Sequence, residues 1–69
     1  MRLRERVAKN LRRLRQSKHL SQEELAARAE VSGNYVGILE REEKAVSIDV
    51  LERLAEALGV DPVEFFIRH

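Results

Sequence analysis

The sequence lacks cysteine and tryptophan altogether, and its 69 residues include only one proline and three glycines. Without cysteine, neither a disulfide nor a thiolate metal site is available. The histidines, His19 and His69, stand fifty positions apart and have no companion at the spacing of metal ligands. Solvated side chains are therefore the simpler interpretation of both, and we expect neither a metal nor another cofactor.

Long apolar runs are missing as well. No segment approaches the roughly 20 apolar residues that cross a bilayer. The N-terminus is charged from Arg2 onward, unlike a signal peptide. We expect a cytoplasmic protein with no membrane partner.

The sequence also lacks the residue combinations on which catalysis depends. It contains no nucleophile–base combination and no glycine-rich loop that would cradle a phosphate. Its carboxylates stand at ordinary helical spacing beside basic residues, as Glu52 and Glu56 do beside Arg53. This is the pattern of a solvated helix face, so the sequence predicts that the protein is not an enzyme.

Helical periodicity is what the sequence does contain, and strand signals are nearly absent. Helical patterns cover about 2–17, 22–29, 32–41 and 48–58, and a short one after Asp61 and Pro62 holds Phe65 and Phe66. In the fourth pattern, an apolar stripe comprises Ile48, Leu51, Leu54, Ala55 and Leu58.

Small polar residues mark the ends of these helices. Ser21 and Glu24 form a capping-box pattern, and Ser32 and Ser47 can cap the third and fourth helices. Gly59 suits a left-handed stop after the fourth. The connection over about 42–46 is too short to separate domains. We predict an all-α fold, a single compact five-helix bundle over residues 1–69.

The break between the second and third helical patterns is only about three residues long, which forces the two helices to cross steeply. Such a crossing needs small and apolar residues in the wedge, and the chain supplies Leu25, Ala26, Ala29, Val31, Val36 and Leu39. A helix-turn-helix of this kind holds its second helix away from the body, where it can enter a DNA major groove.

The formal net charge of +1 hides an asymmetry along the chain. Residues 1–19 carry eight basic residues against one acidic residue, a net charge of +7, whereas residues 20–69 carry five against eleven, a net charge of −6. The basic part indicates a polyanion near the first helix. A solvated helix face balanced by acidic helices explains the same counts, so charge alone leaves both interpretations open.

Three segments carry a family resemblance: LSQEELA, NYVGILER and LERLAEALGVDPVEFF, in this order. With them the chain resembles, over about residues 7 to 66, the XRE-type helix-turn-helix family of the lambdoid phage repressors and Cro. The segment VSI at 46–48 and the short length are also similar to the controller proteins of restriction–modification systems. The resemblance implies a lambda repressor-like fold that binds double-stranded DNA.

Two positions depart from the family pattern. The family often has glycine where this chain has Glu30, in the turn before the third helix, and Glu42, just after that helix. If the backbone is left-handed there, a non-glycine residue costs about 1 kcal/mol. The carboxylates of Glu42 and Glu43 would also repel DNA phosphates.

The predicted groove contacts are the exposed residues of the third helix. Asn34 carries a donor and an acceptor that can read adenine or hold a phosphate, and Tyr35 can stack on a sugar or touch a thymine methyl. Gly33 and Gly37 leave a bare surface that would let the helix backbone sit deep in the groove. A surface position with little constraint on its residue type is the alternative explanation of both glycines. The full set is Ser32, Gly33, Asn34, Tyr35, Gly37 and Ile38.

Phosphate contacts are predicted on either side of this helix. Gln22 begins the second helix, whose free N–H groups and dipole favour a phosphate, and by resemblance its side chain anchors the DNA backbone. The basic candidates are Arg12, Lys18, Arg41 and Lys44, each with a solvated surface side chain as the alternative. The resemblance also implies a structural ion pair between Arg15 and Glu40.

Adjacent aromatic residues predict a contact between two copies of the chain. Phe65 and Phe66 lie about 100° apart on a helix, so both cannot face the core fully. We expect one ring in the core and the other at a homodimer interface with Val63 and Ile67. An unwound C-terminal turn with both rings in the core is the alternative.

These patterns predict a sequence-specific regulator of transcription that binds double-stranded DNA. It would insert the third helix, about 32–41, into the major groove as a homodimer on a pseudo-palindromic operator. No small-molecule ligand is evident. The alternative is a protein-interaction module with the same fold, such as an antitoxin or an adaptor.

Overall fold

Helices form the entire regular structure of residues 2–68, the part of the chain that the computed structural model describes. Met1 and His69 fall outside this part, and so does the interpretation of His69 as a solvated side chain. The helices are α1 (Leu3–Ser17), α2 (Gln22–Ala29), α3 (Tyr35–Glu40) and α4 (Ile48–Leu58), followed by a 3-10 helix at Pro62–Phe65. No helix within this part is both long and apolar enough to cross a membrane.

The predicted fifth helix is a 3-10 turn, so the bundle has four α-helices where five were expected. The Asp61 side chain accepts a hydrogen bond from the Val63 N–H at 2.9 Å, as a cap should. The backbone N–H groups of Glu64 and Phe66 then bond three residues back, each at 2.9 Å. Four residues suit this tighter winding, because 3-10 helices occur in such short pieces.

The caps of α2 and α4 are present as predicted. Ser21 and Glu24 exchange both hydrogen bonds of the capping box, and the Ser47 side chain accepts from the Val50 N–H at 3.1 Å. Gly59 ends α4 in the left-handed conformation. The serine caps satisfy N–H groups that have no partner inside the helix, and the Gly59 N–H donates to the carbonyl oxygens of Ala55 and Glu56 at the other end.

The start of α3 differs from the prediction. The helix begins at Tyr35, and its N-cap residue, Asn34, makes no side-chain capping bond. The predicted cap at Ser32 is wrong, because the Ser32 hydroxyl lies 3.1 Å from Asn34 Oδ1 and bonds to it instead. Residues 33 and 34 form a turn, where the weak helix propensity of Gly33 is no disadvantage.

The two glutamates at positions where the resemblance leads one to expect glycine do have a left-handed backbone conformation. Glu30 has φ of 60° and Glu42 has φ of 61°, and His19, after α1, has φ of 58°. Each therefore retains a backbone strain of about 1–2 kcal/mol. Both turns are thus left-handed although neither residue is glycine.

The core lies between the four helices, and Phe65 closes it from the C-terminal side. Leu11, Leu25, Val36, Leu54 and Phe65 are the largest fully buried side chains. The wedge predicted between α2 and α3 is buried, apart from the half-buried Val31. Ile48 was expected in the α4 stripe but is 81% exposed, because it begins the helix beyond the edge of the core.

One buried polar side chain was not anticipated from the sequence. Asn10 lies on the inner face of α1 and is 4% exposed. Its Nδ2 donates to the carbonyl oxygens of Phe65 and Ile67, each at 2.8 Å. The amide thus fastens the C-terminal segment, which has few backbone partners of its own, onto the first helix.

Asn10→Leu keeps the volume of the side chain but removes both hydrogen bonds. We expect it to lower the free energy of unfolding by about 1–3 kcal/mol, the penalty for leaving buried acceptors without a donor. Urea unfolding followed by circular dichroism measures this as a lower midpoint at unchanged slope. Gln16→Leu, at an exposed position of the same helix, is the control, and equal losses for the two variants would contradict the bridging role.

Candidate nucleic-acid interface

The third helix is held against the body by one face and exposes the residues at its N-terminal end. Val36 and Leu39 are buried on the inner face. The predicted groove residues Ser32, Gly33 and Asn34 are exposed, and all three precede α3. Two other predicted groove residues, Tyr35 and Ile38, are half-buried. The exposed surface thus consists mainly of the turn before α3, with Tyr35 and Ile38 contributing in part.

Gly37 was expected to be part of an exposed, bare surface of the third helix, and this expectation is wrong. The residue is buried, because two side chains from elsewhere lie across it. A Cβ atom at this position would stand 3.0 Å from Gln22 Oε1 and 3.1 Å from Arg41 Nη1. Gly33, in contrast, has no atom within 4 Å of the place where its Cβ would be.

A buried carboxylate at the end of α3 organises the polar groups around it. The Glu40 side chain is 0% exposed. Arg15 donates to both of its oxygens, from Nε to Oε2 at 2.7 Å and from Nη2 to Oε1 at 3.1 Å. Gln22 Nε2 donates to Oε1 at 3.0 Å, and Arg12 Nε lies 3.4 Å from the same oxygen. The third helix is thereby bonded to α1 and to α2.

The Arg15 guanidinium reaches one further acceptor. Its Nη1 donates to the carbonyl oxygen of Leu20 at 2.9 Å, in the connection between α1 and α2. The Arg15 side chain is 12% exposed, so the pair that it makes with Glu40 is largely shielded from water. The guanidinium group of Arg15 therefore links α1 to α3 and to the connection between α1 and α2.

Protonation of Glu40 is opposed by this arrangement. Burial by itself raises the pKa of Glu40, but the hydrogen bonds from Arg15 and Gln22, together with the nearby charge of Arg15, bring that pKa below its ordinary value. The pKa of Arg15 is raised, chiefly by its hydrogen bonds to Glu40. The pair is thus ionised at neutral pH.

Gln22 and Arg41, two predicted phosphate contacts, are held in place by carboxylates. Gln22 is bonded to Glu40, and its oxygen lies over Gly37. Arg41 forms a two-pronged pair with Glu43, with Nε–Oε2 at 2.9 Å and Nη2–Oε1 at 3.2 Å. This pair is exposed, and it lowers the pKa of Glu43 and raises that of Arg41 through their hydrogen bonds.

The remaining phosphate candidates belong to three different parts of the chain. Arg12 points along α1 toward the end of α3, and Lys18 is exposed where α1 ends. Lys44 is exposed in the connection to α4, at the rim of an apolar groove rather than beside α3. The structure therefore brings Gln22 and Arg41 together on α3, with Arg12 nearby, but not Lys18 and Lys44.

A polar cleft beside Arg12 was not singled out from the sequence. It has a volume of about 290 Å³ and is lined by Lys9, Arg12, Arg13 and Gln16 from α1, with Glu40 and Glu42 opposite. The four α1 residues are spaced three or four apart or adjacent, so they share one helix face. That spacing was readable in the sequence, but nothing in it showed that this face meets the end of α3.

The two C-terminal aromatic residues, Phe65 and Phe66, differ in burial. Phe65 is 0% exposed, so it is the ring that fills the core, as expected of one of the two, and it no longer belongs to the candidate interface. Phe66 is 38% exposed, Val63 is exposed and Ile67 is half-buried. Phe66 also borders the apolar groove, which has a volume of about 350 Å³ and is lined by Leu3, Val7, Leu39, Val46, Ile48 and Leu51 among others.

Comparisons with known proteins agree on the architecture around this surface. Residues 11–65 match the helix-turn-helix family HTH_3. An uncharacterized HTH-type transcriptional regulator, y4dJ, from Sinorhizobium fredii (strain NBRC 101917 / NGR234) is 44% identical over 64 residues, which are 93% of this chain and 83% of that protein. The control protein C.SmaI from Serratia marcescens is 35% identical over 68 residues, 99% of this chain and 81% of that one.

A solved structure extends the likeness to three dimensions. The restriction-modification controller protein C.AhdI from Aeromonas hydrophila superposes with a TM-score of 0.88 at 40% identity. The match covers 91% of this chain and 96% of C.AhdI.

The buried ion pair generates a prediction about stability and pH. Arg15→Gln should lower the free energy of unfolding at pH 7 by about 3–5 kcal/mol, because it leaves a buried carboxylate without its main partner. Arg12→Gln, which removes a longer and half-exposed contact to the same carboxylate, should cost about 1 kcal/mol or less.

The pH dependence follows from the lowered pKa of Glu40. A carboxylate with a depressed folded-state pKa contributes stability above its unfolded value of about 4.3, and the contribution is lost as the pH falls through the folded-state pKa. Wild type should therefore lose stability below about pH 4.3 more steeply than Arg15→Gln does. Urea unfolding between pH 7 and pH 3 measures the loss at pH 7 and the pH dependence of the free energy of unfolding. If that free energy falls with pH equally in the wild type and in Arg15→Gln, Glu40 is not the cause of the pH dependence.

Proposed function

The chain belongs to the helix-turn-helix family HTH_3, and from that premise we propose that it regulates transcription by binding double-stranded DNA through α3 and the turn before it. The observation that carries the proposal is the bonding of Glu40 to α1 and α2, which presents this segment as a rigid unit. The matched relatives are named as regulators and controllers, not as enzymes. We extend the proposal to control of a restriction–modification gene pair, because C.AhdI carries that name.

Base reading would come from the exposed N-terminal end of this unit. Asn34 offers the donor and acceptor that adenine requires, and Tyr35 and Ile38 offer edges for sugar or thymine methyl contacts. Gly33 and Ser32 add little side-chain surface. With so few long polar groups, the shape and deformability of the DNA should contribute strongly to selectivity.

Positioning on the DNA backbone would come from groups around the unit. Gln22 begins α2, where free N–H groups favour a phosphate oxygen, and Arg41 lies beside it across Gly37. Arg12 and Lys18 extend the basic side along α1, and Lys44 is a more distant candidate. These contacts hold the protein in register and are largely insensitive to sequence.

Selection of bound sites from random duplexes, followed by titration at several salt concentrations, tests the proposal. If a dimer neutralises roughly 6–10 phosphates, affinity should fall about 10³–10⁵-fold between 50 and 200 mM salt. Asn34→Ala should weaken the preferred site by about 1–3 kcal/mol and leave binding to random DNA unchanged. Arg12→Ala should weaken binding to both DNAs by similar factors. A flat salt dependence, or no enriched site, would rule out DNA binding as proposed.

We also propose that residues 1–69 act as one domain and bind as a homodimer. The longest dimension of the described chain is 29 Å, shorter than the 34–36 Å that separates successive major-groove faces of DNA. One copy would therefore reach only one major-groove face with its single α3, and a two-fold pair on a pseudo-palindrome would supply the second.

Phe66 supports a specific surface for this pair. It stands at the rim of the apolar groove together with Leu3 and Ile48, which are 61% and 81% exposed. Val63 and Ile67 adjoin it in the chain. An exposed apolar patch of this kind marks an interaction site. The same groove favours the second candidate, an antitoxin or adaptor, in which a different protein would occupy it.

Phe66→Asp should convert a dimer into a folded monomer that binds a half-site weakly. Placing a carboxylate in an apolar interface leaves a buried charge without a partner. Analytical ultracentrifugation at tens of micromolar protein measures the assembly, and circular dichroism checks the fold. Ala27→Asp, at an exposed site on α2, is the control and should remain dimeric. A monomeric wild type with no cooperativity on two-site DNA would refute the dimer and leave the groove to another partner.

A further inference from the structure

Gly37 is covered by side chains that come from two directions. It lies on the same face of α3 as Glu40 and Arg41, which follow it by three and four residues. Gln22 reaches this face from α2. Its Oε1 and Cδ atoms lie 3.0 and 3.5 Å from the position that a Cβ at residue 37 would occupy, and Arg41 Nη1 lies 3.1 Å from it.

The path of Gln22 explains why this position must be bare. To donate from Nε2 to Glu40 Oε1 at 3.0 Å, the Gln22 side chain has to lie across the surface of α3 at residue 37. Contacts of 3.0 and 3.1 Å to a Cβ are tighter than those that side chains normally make, so an added methyl group would push Gln22, Arg41 or both outward by a few tenths of an ångström. Because both contacts involve the far ends of flexible side chains, the displacement need not disturb the fold.

We propose that Gly37 is a positioning residue that seats Gln22 and Arg41 on α3 for contact with the DNA backbone. This inference rests on the proposed function, since it assigns the glycine to the same interface. It differs from the expectation that a bare helix lets the backbone approach the bases: here the glycine acts through two side chains that cover it.

Gly33 provides a matched comparison in the free protein. It is the other glycine of this segment, and a Cβ there would meet nothing within 4 Å. Gly33 is exposed in the turn before α3, so a methyl group there should cost little. At residue 37 the helix propensity of alanine should offset a weaker Gln22–Glu40 bond. Both variants should therefore remain folded. The two variants add the same methyl group, but only the one at residue 37 meets Gln22 and Arg41.

The first experiment needs no DNA. The side-chain amide of Gln22 is followed by ¹⁵N NMR and assigned by its disappearance in Gln22→Ala. Gly37→Ala should shift this amide and speed its exchange with water, because the displaced side chain bonds less well to Glu40, whereas Gly33→Ala should leave it in place. An unchanged Gln22 amide in folded Gly37→Ala overturns the inference, whatever the protein does with DNA.

The second experiment is a double-mutant cycle on the selected duplex. Gly37→Ala alone should weaken binding about tenfold or more, the size expected for one charge-assisted hydrogen bond. In a protein that already carries Gln22→Ala and Arg41→Ala, the same change should have little further effect, because it acts through those side chains. An equal loss in both backgrounds would mean that the methyl group obstructs the DNA directly, and would overturn the inference.

The two experiments separate the inference from the proposed function. If wild type selects no duplex, the DNA-binding proposal fails, while a displaced Gln22 amide in Gly37→Ala would still establish the seating of that side chain. If wild type binds and the amide does not move, the positioning role alone fails.

Discussion

The burial of one carboxylate governs the arrangement of the whole helix-turn-helix. A charged group without solvent must be bonded on every side, and Glu40 obtains its partners from α1 through Arg15 and Arg12, and from α2 through Gln22. The third helix has only six residues and includes a glycine, so it has little tendency to form alone. Its orientation is therefore imposed from outside, by this set of bonds and by the apolar wedge beneath it.

These contacts change the interpretation of the charge asymmetry along the chain, because some of the basic residues pair with carboxylates of the chain itself. The excess of basic residues in the first nineteen positions indicated a polyanion, yet Arg15 and, more weakly, Arg12 are directed at a carboxylate of their own chain. Arg41 is similarly paired with Glu43. A DNA phosphate must therefore compete with internal acceptors for some of the cations that a count of charges assigns to it, and geometry decides which of them are available.

Local signals in the sequence predicted α1, α2 and α4 well, because their caps and apolar periodicity lie within a few residues of each other. Ser21 with Glu24, Ser47 and Gly59 behave as their spacing indicates. Two of the failures involve partners far apart in the chain. Asn10 meets carbonyls 55 and 57 residues away, and Gly37 is covered by Gln22 from another helix. Contacts of this kind produce no periodic pattern in the sequence from which they could be predicted. The ion pair between Arg15 and Glu40 was reachable only through family resemblance, and the start of α3 was misplaced because Ser32 bonds to Asn34 rather than to the backbone.

The shortness of α3 limits how much information one copy can extract from DNA. Six residues rise about 9 Å, which spans roughly three base-pair steps of about 3.4 Å. Three fully specified base pairs carry roughly 6 bits, and a symmetric pair of helices roughly 12, whereas a genome with about 10⁶ competing sites demands roughly 20. Under the proposed function, the remaining bits must come from the sequence-dependent stiffness of the DNA between the two half-sites, or from operators placed in series.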